Sequence, residues 1–323
     1  MKIFLIMISA LLLFAGCASK EPDYVLPTAR ISDFESDQSG FNTKTYFYDN
    51  GREVVVFDTQ FTPDLAEKAI EYIKSQTEHP IKYVVITSPN PDKFNGIEAF
   101  QKIGAKVIAS DATVSSLGEV HIYKKNFFVK VAKMFTGENY PKLGRPDITF
   151  DKNYSIKLSH GETVELLELS KSAVSSNQTI AHIPRIKALV VGDLVAHKAH
   201  AWLEGGIYQG TAVPKIRNWI ADLNEVKALF ADKDVTVYGG RGASAKLDEA
   251  VDAEINYLEK VDSLVTDYVK DLAVRGRKKK DLTDPAVASK HYAEIKNRVE
   301  SLFPGYEYSY LVQYGVYGLV NSK

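Results

Sequence analysis

Residues 84–96, V-V-I-T-S-P-N-P-D-K-F-N-G, constrain this chain more than any other stretch. The β-branched run Val84-Val85-Ile86 ends in a polar turn with two prolines, and after Gly96 the apolar positions Ile97, Phe100 and Ile103 follow at helical spacing. That pattern predicts a buried strand, a loop and a helix. In α/β proteins such a loop lies at the carboxyl end of a strand, where ligand and catalytic sites collect.

The flanking segments extend the pattern. Thr45 to Tyr48 and Glu53 to Phe57 enclose Asn50-Gly51, which predicts a hairpin because Asn-Gly tolerates the positive φ angles of a type I′ turn. Pro63 starts a helix through Leu65, Ala69, Tyr72 and Ile73 that His79-Pro80 ends, and Val107-Ile108-Ala109 is a further buried strand. Alternating strands and helices of this kind predict an α/β layered fold. Tyr154 to Leu158 and Thr163 to Leu167 read as strands around a turn at His160-Gly161-Glu162.

The loop after Ile86 resembles the first signature of the metallo-β-lactamase superfamily, in which a hydrophobic strand leads into T-H-x-H-x-D-H-x-G-G. Thr87, Asp92 and Gly96 stand in register, whereas Ser88, Asn90 and Lys93 occupy the histidine positions. Asp58-Thr59-Gln60 aligns with the family's D-T-G, and Pro184 followed by residues 188–193, A-L-V-V-G-D, aligns with its later strands. Counting back from Pro184 puts Val174 near another expected histidine, and Arg241 in Tyr238-Gly239-Gly240-Arg241-Gly242 takes the place of a further one. The resemblance spans roughly residues 45–242 and implies an αββα sandwich, a hydrolase ancestry and a zinc site that has lost most of its ligands. Zinc takes imidazole, thiolate or carboxylate at about 2.0 to 2.3 Å, and a lysine ammonium has no lone pair to offer. No cofactor is therefore expected.

Two carboxylates, Asp92 and Asp193, would remain at the former metal centre beside two new cations, Lys93 and Arg241. A buried, unpaired carboxylate is costly, so these cations are expected to replace the charge of the metal. The alternative is that Lys93 points to solvent and Arg241 caps a loop. His197 and His200 lie four and seven residues after Asp193, and in a helical turn the three would share a face. A relocated zinc or other divalent-metal site of Asp92, Asp193, His197 and His200, with these residues catalytic, is the competing expectation.

The chain opens with Met1-Lys2, an apolar run from Ile3 to Phe14, and Ala15-Gly16-Cys17. The run is too short to span a bilayer and reads as a signal peptide. Cys17 is the single cysteine and resembles a lipobox cysteine, although Phe14 stands where leucine is usual. Lipidation there implies a membrane tether, and Ala18-Ser19 resembles the sorting pattern for the periplasmic face of the outer membrane. An ordinary secreted protein with one stray thiol is the alternative. With a formal net charge of -1 and 25% charged residues, the chain lacks the positive excess that holds nucleic acid.

Tyr123 to Phe135 carries Tyr123, Phe127, Val131, Met134 and Phe135 on one face, as a helix packed on the body, a lid over the site or a lipid contact would. After Ser244, apolar residues from Leu247 to Leu272 recur at three- and four-residue steps, predicting one long helix. The basic run 275–280 breaks it, Asp284-Pro285 starts a second helix, Pro304-Gly305 stops that one, and residues 306–317 are rich in tyrosine. The expected organisation is a signal peptide at 1–16, an anchor linker and N-terminal segment at 17–42, an α/β αββα domain at 43–243 and a C-terminal helical extension at 244–323. Three function classes stand open: a metal-free descendant binding a small or anionic ligand in the old cleft through Ser88, Asn90, Lys93, Arg241 and His200, a metal-dependent hydrolase, and a structural envelope protein.

Overall fold

The computed structural model describes residues 28–169, 171–274, 282 and 285–323. The segment read as a signal peptide, Cys17 and the basic run 275–280 lie outside the described residues. Strands β1 (Arg30–Glu35), β2 (Lys44–Asp49), β3 (Val54–Phe57), β4 (Ile81–Val85), β5 (Lys106–Ser110) and β6 (Ile148–Phe150) form the first sheet in that spatial order. The first two pairings are antiparallel and the rest parallel. Its crossovers are α1 (Pro63–Gln76), α2 (Pro91–Phe94), α3 (Ile97–Lys102) and α4 (Asp111–Asn126), which runs on through a π-helical turn at Phe127–Val131.

The second half supplies β7 (Asn153–Lys157), β8 (Thr163–Glu168), β9 (Thr179–Ile183), β10 (Ala188–Gly192), the hairpin β11 (Gly206–Tyr208) and β12 (Thr211–Val213), α5 (Ile216–Phe230), β13 (Thr236–Gly239) and β14 (Ala245–Lys246). The second sheet runs β14-β13-β10-β9-β8-β7. Helices α6 (Leu247–Val274), α7 (Pro285–Leu302) and α8 (Tyr310–Asn321) close the chain.

Strand alternation generates the layers. In β3, Val54 and Val56 face α1, α3 and α4, while Val55 and Phe57 face the second sheet, where they meet Leu166, Ala181, Ile183 and Val190. The outer face of the second sheet is covered by α5 and α6, with Trp219, Leu223, Leu258 and Val261 at the contact. Each such side chain contributes roughly 1.5–3 kcal/mol when fully buried. The αββα expectation holds.

Two local expectations need correction. The Asn50-Gly51 hairpin forms, but a type I′ turn needs positive φ at both residues, and of the two only Gly51 has it, at 86°. Asn50 instead accepts hydrogen bonds from the amides of Arg52 and Glu53 through Oδ1, making a four-residue connection. The boundary at 43 falls too late, because β1 pairs with β2 from Arg30↔Asp49 to Glu35↔Lys44. Lys44 fastens that edge through Asp33 at 3.0 Å and Glu35 at 3.4 Å. The expected C-terminal helices are present and pack on the body, with α6 sharing one continuous core with α5 and the second sheet, and the tyrosine-rich stretch enters helix α8 from Tyr310 onward.

Candidate functional site

The loops leaving β3, β4, β10 and β13 meet at one edge of the sandwich. They deliver Asp58, Asp92 with Lys93, Asp193 and Arg241 to a common centre, and Thr43 joins them from the loop before β2. Close approach is built into the sequence: a Cβ on Gly240 would lie 2.2 Å from Asp193 Oδ1. Gln60, where the resembled family has glycine, keeps a left-handed φ of 79°. Its side chain anchors that strained turn by donating to Thr43 O at 2.9 Å and Thr45 Oγ1 at 3.0 Å.

Lys93, with no exposed surface, puts Nζ 2.9 Å from Asp193 Oδ1, 3.0 Å from Asp92 Oδ2 and 3.9 Å from Asp58 Oδ2. These are ionic contacts and not aligned hydrogen bonds. Arg241 donates through Nη1 to Asp193 Oδ1 at 2.9 Å, through Nη2 to Asp92 Oδ2 at 3.0 Å and Thr43 Oγ1 at 2.9 Å, and through Nε to Phe41 O at 2.8 Å. The Thr43 hydroxyl in turn donates to Asp92 Oδ2 at 2.8 Å. Asp92 and Asp193 are thus each bridged by both cations. The expectation of a cationic cluster holds, and the solvent-facing alternative for Lys93 does not.

Burial alone would raise the Asp92 carboxyl, but Lys93 and Arg241 outweigh it and hold the group far below the usual range. Burial opposes the charge on Lys93 as well, yet Asp193, Asp92 and Asp58 together raise its pKa, and Arg241 is raised in the same way. Both cations stay charged at any physiological pH. Asp58 differs. Burial pushes it up to about 7, against Lys93 and the two bonds it accepts at 2.9 Å from Thr87 N and Oγ1. At neutral pH it is poised between acid and carboxylate.

This donor set does not fit zinc. Lys93 and Arg241 bring positive charge to two expected ligand positions, Val174 is buried in the apolar core, and Asn90 spends its amide on Asp193 Oδ2 at 3.4 Å. The Ser88 hydroxyl is buried without a hydrogen-bond partner among the described residues. Among the described residues, no three histidine, cysteine, aspartate or glutamate side chains are placed to hold a metal ion.

The relocated site is likewise not assembled among the described residues. Asp193, His197 and His200 do not share a helical face, because residues 193–204 form turns and not a helix. Backbone pairing pulls this segment towards the C-terminus instead, with His200 N donating to Glu307 O and Glu307 N to Lys198 O, both at 2.9 Å. His200 Nδ1 lies 3.2 Å from Tyr257 Oη, and its ring packs against Tyr257 and Tyr306. Burial drops its pKa to about 4. His197 Nε2 faces Glu249 at 3.3 Å, and burial lowers its pKa too. Of the residues expected to bind ligand, Asn90 and Arg241 reach the cleft, Lys93 lies beneath it, and His200 belongs to the helical layer.

Above the ion cluster remains a cavity of about 20 Å³, bordered by Asn90, Asp92, Asp193 and Arg241. That is room for about one water molecule. Its roof is a set of rings: Phe41 against Phe61 at 4.9 Å, Phe61 against Phe128 at 4.9 Å, and Phe41 against Trp202 at 5.3 Å between centroids. Lys124, paired with the buried Glu204, lies over the Trp202 ring at 5.1 Å. The segment around Tyr123 to Phe135 therefore does cover the site, through Lys124 and Phe128. Sequence reasoning missed Phe41, Phe61, Thr43 and Trp202, which carry no motif. Asp58 was marked by its place at a strand end in register with the family's D-T-G, not as a site residue.

Residues 39–241 match the sequence profile of the Metallo-beta-lactamase superfamily. A metallo-beta-lactamase from Pontibacter korlensis aligns with 73% of this chain and 97% of its own length, at 17% identity and a TM-score of 0.53. FIM-1 from Pseudomonas aeruginosa, solved in a mono-zinc form, aligns with 72% of this chain and 90% of its own, at 16% identity and a TM-score of 0.51. DIM-1 exposed to ceftazidime gives 73% and 99%, at 16% identity and a TM-score of 0.51. These likenesses concern the fold. No curated protein matches the chain.

Proposed function

The chain belongs to the metallo-beta-lactamase superfamily, and from that premise we propose that it is an exported, lipid-anchored binding protein that works without the family's metal. The observation that carries this reading is the buried Lys93 ammonium, 2.9 Å from Asp193 and 3.0 Å from Asp92. With Arg241 it gives two carboxylates the counter-charge that a metal ion would otherwise supply. A divalent ion entering there would meet two fixed positive charges that do not titrate in the physiological range.

The same pairing redirects the search for a ligand. Lys93 and Arg241 already serve Asp92 and Asp193, so an anion in the old cleft would have to compete with two carboxylates for them. A ligand larger than water would also have to displace the rings over the cleft. We therefore assign the old centre a structural role, tying four loops together, and place ligand recognition elsewhere on the molecule. Cys17 supplies the tether, at the periplasmic face of the outer membrane.

Thermal unfolding with a chelator and with added zinc tests the metal-free reading. The melting temperature is expected to stay the same in both, because ligands of the folded state raise it by mass action and their removal lowers it. A fall with chelator that zinc restores would return the chain to the metal-dependent hydrolases.

A further inference from the structure

A groove of about 980 Å³ runs between α4 with its π-helical turn and the C-terminal helices α7 and α8. That volume lies at the top of the range for small-molecule sites, and π-helical turns are frequent at functional sites. Six rings line it, with Tyr123 and Phe127 on one side and Tyr292, Tyr310, Tyr314 and Tyr317 on the other. Tyr123 and Tyr317 meet hydroxyl to hydroxyl at 2.5 Å, and Phe127 stacks on Tyr317 at 5.8 Å, so these rings are fixed in place. Val131, on the same wall, is 61% exposed.

Charge decides what suits this lining. Among the described residues bordering the groove there is no carboxylate and one cation, Lys130. Lys130 is exposed and has no ion-pair partner among the described residues. A cationic ligand finds no carboxylate among these lining residues, while the rings with Val131 and Ala132 offer apolar surface to a hydrocarbon chain and Lys130 offers a counter-charge to an acidic head. We infer that the groove binds a single-chain anionic amphiphile, its chain along the rings and its head at Lys130.

This deepens the binding-protein reading, and the two fail separately. Metal uptake would overturn the metal-free premise and leave the groove untouched, whereas failure to bind chains overturns the groove alone.

Trp202 offers a reporter, since its indole stacks on Tyr314 with centroids 6.1 Å apart and planes at 6°. The probes are octanoate, decanoate and dodecanoate below their micelle concentrations, with decanol as the uncharged control. Saturable one-to-one binding is expected, tightening about three- to four-fold per added methylene until the groove is full. Lys130→Ala should weaken decanoate about two- to five-fold and leave decanol unchanged. Gln313→Trp, at an exposed position on the α8 wall, should abolish both without moving the melting temperature, and Ser289→Trp on the α7 wall repeats the test should the first variant misfold. Non-saturable binding, undiminished binding in the filled-groove variants, or binding to anionic phospholipid vesicles with none to monomeric decanoate would overturn the assignment.

Discussion

Lys93 and Asp193 meet ammonium to carboxylate at 2.9 Å, although the two arrive on loops from different sheets of the sandwich. Arg241 joins Asp193 at the same distance from a third loop. Removing one member of such a cluster leaves an uncompensated charge in a place water barely reaches. Lys93→Met is therefore expected to lower folding stability by about 3–5 kcal/mol, read from urea unfolding. Combining it with Asp193→Asn should cost less than the sum of the two single changes, because contacting residues couple. Strict additivity would mean that the pair does not hold the loops.

The pH dependence has two opposing parts. Asp58, pushed up to about 7 from an ordinary 3.8, keeps its proton in the folded protein where the unfolded chain has lost it. Its contribution to stability therefore falls as pH rises from about 4 to about 7. His200, dropped to about 4 from an ordinary 6.5, stays neutral in the folded protein where the unfolded chain takes up a proton. Its contribution is lost as pH falls from about 6.5 to about 4. Each slope is at most about 1.4 kcal/mol per pH unit. Urea midpoints between pH 4 and 7.5 should rise relative to wild type towards the neutral end for Asp58→Asn and towards the acid end for His200→Phe. An Asp58→Asn profile parallel to wild type would mean that Asp58 is ionised throughout.

Helix α8 sits on the backbone of residues 203–204 because two glycines leave it room. A Cβ on Gly315 would come within 2.5 Å of Leu203 N, and one on Gly318 within 2.4 Å of Glu204 O. Gly318→Ala should push α8 outward and cost about 1–3 kcal/mol, as overpacking does. Because Trp202 donates to Glu204 at 2.9 Å, the indole emission should shift as well. A variant with wild-type stability and spectrum would place α8 elsewhere.

The sequence was legible where local chemistry and tertiary structure agree. The Val84 to Ile86 run, the proline-bounded loop and the spacing in α6 each state their structure in a few residues, and the two acids and two cations of the site follow from register with the family pattern. It was illegible where distant segments decide. His197 and His200 were spaced for a helix, but pairing with Glu307 turned that segment into a series of bends. Phe41 and Phe61 close the cleft through contacts that no short motif encodes, and Asp58 owes its raised pKa to burial that appears only when two sheets meet.

The membrane tether has its own test. Cys17→Ala should move the protein from the membrane fraction to the soluble periplasmic fraction without changing its melting temperature. A wild-type protein that is already soluble after fractionation would rule out lipidation at Cys17.

Elemental analysis of protein purified without chelators, from cells grown with added zinc, tests the exchange of metal for fixed cations most directly. The expected result is far less than one equivalent of zinc, manganese or iron per chain, unchanged in His197→Ala and His200→Ala. One tightly held equivalent in the wild type, lost when Asp92 or Asp193 is replaced, would contradict it.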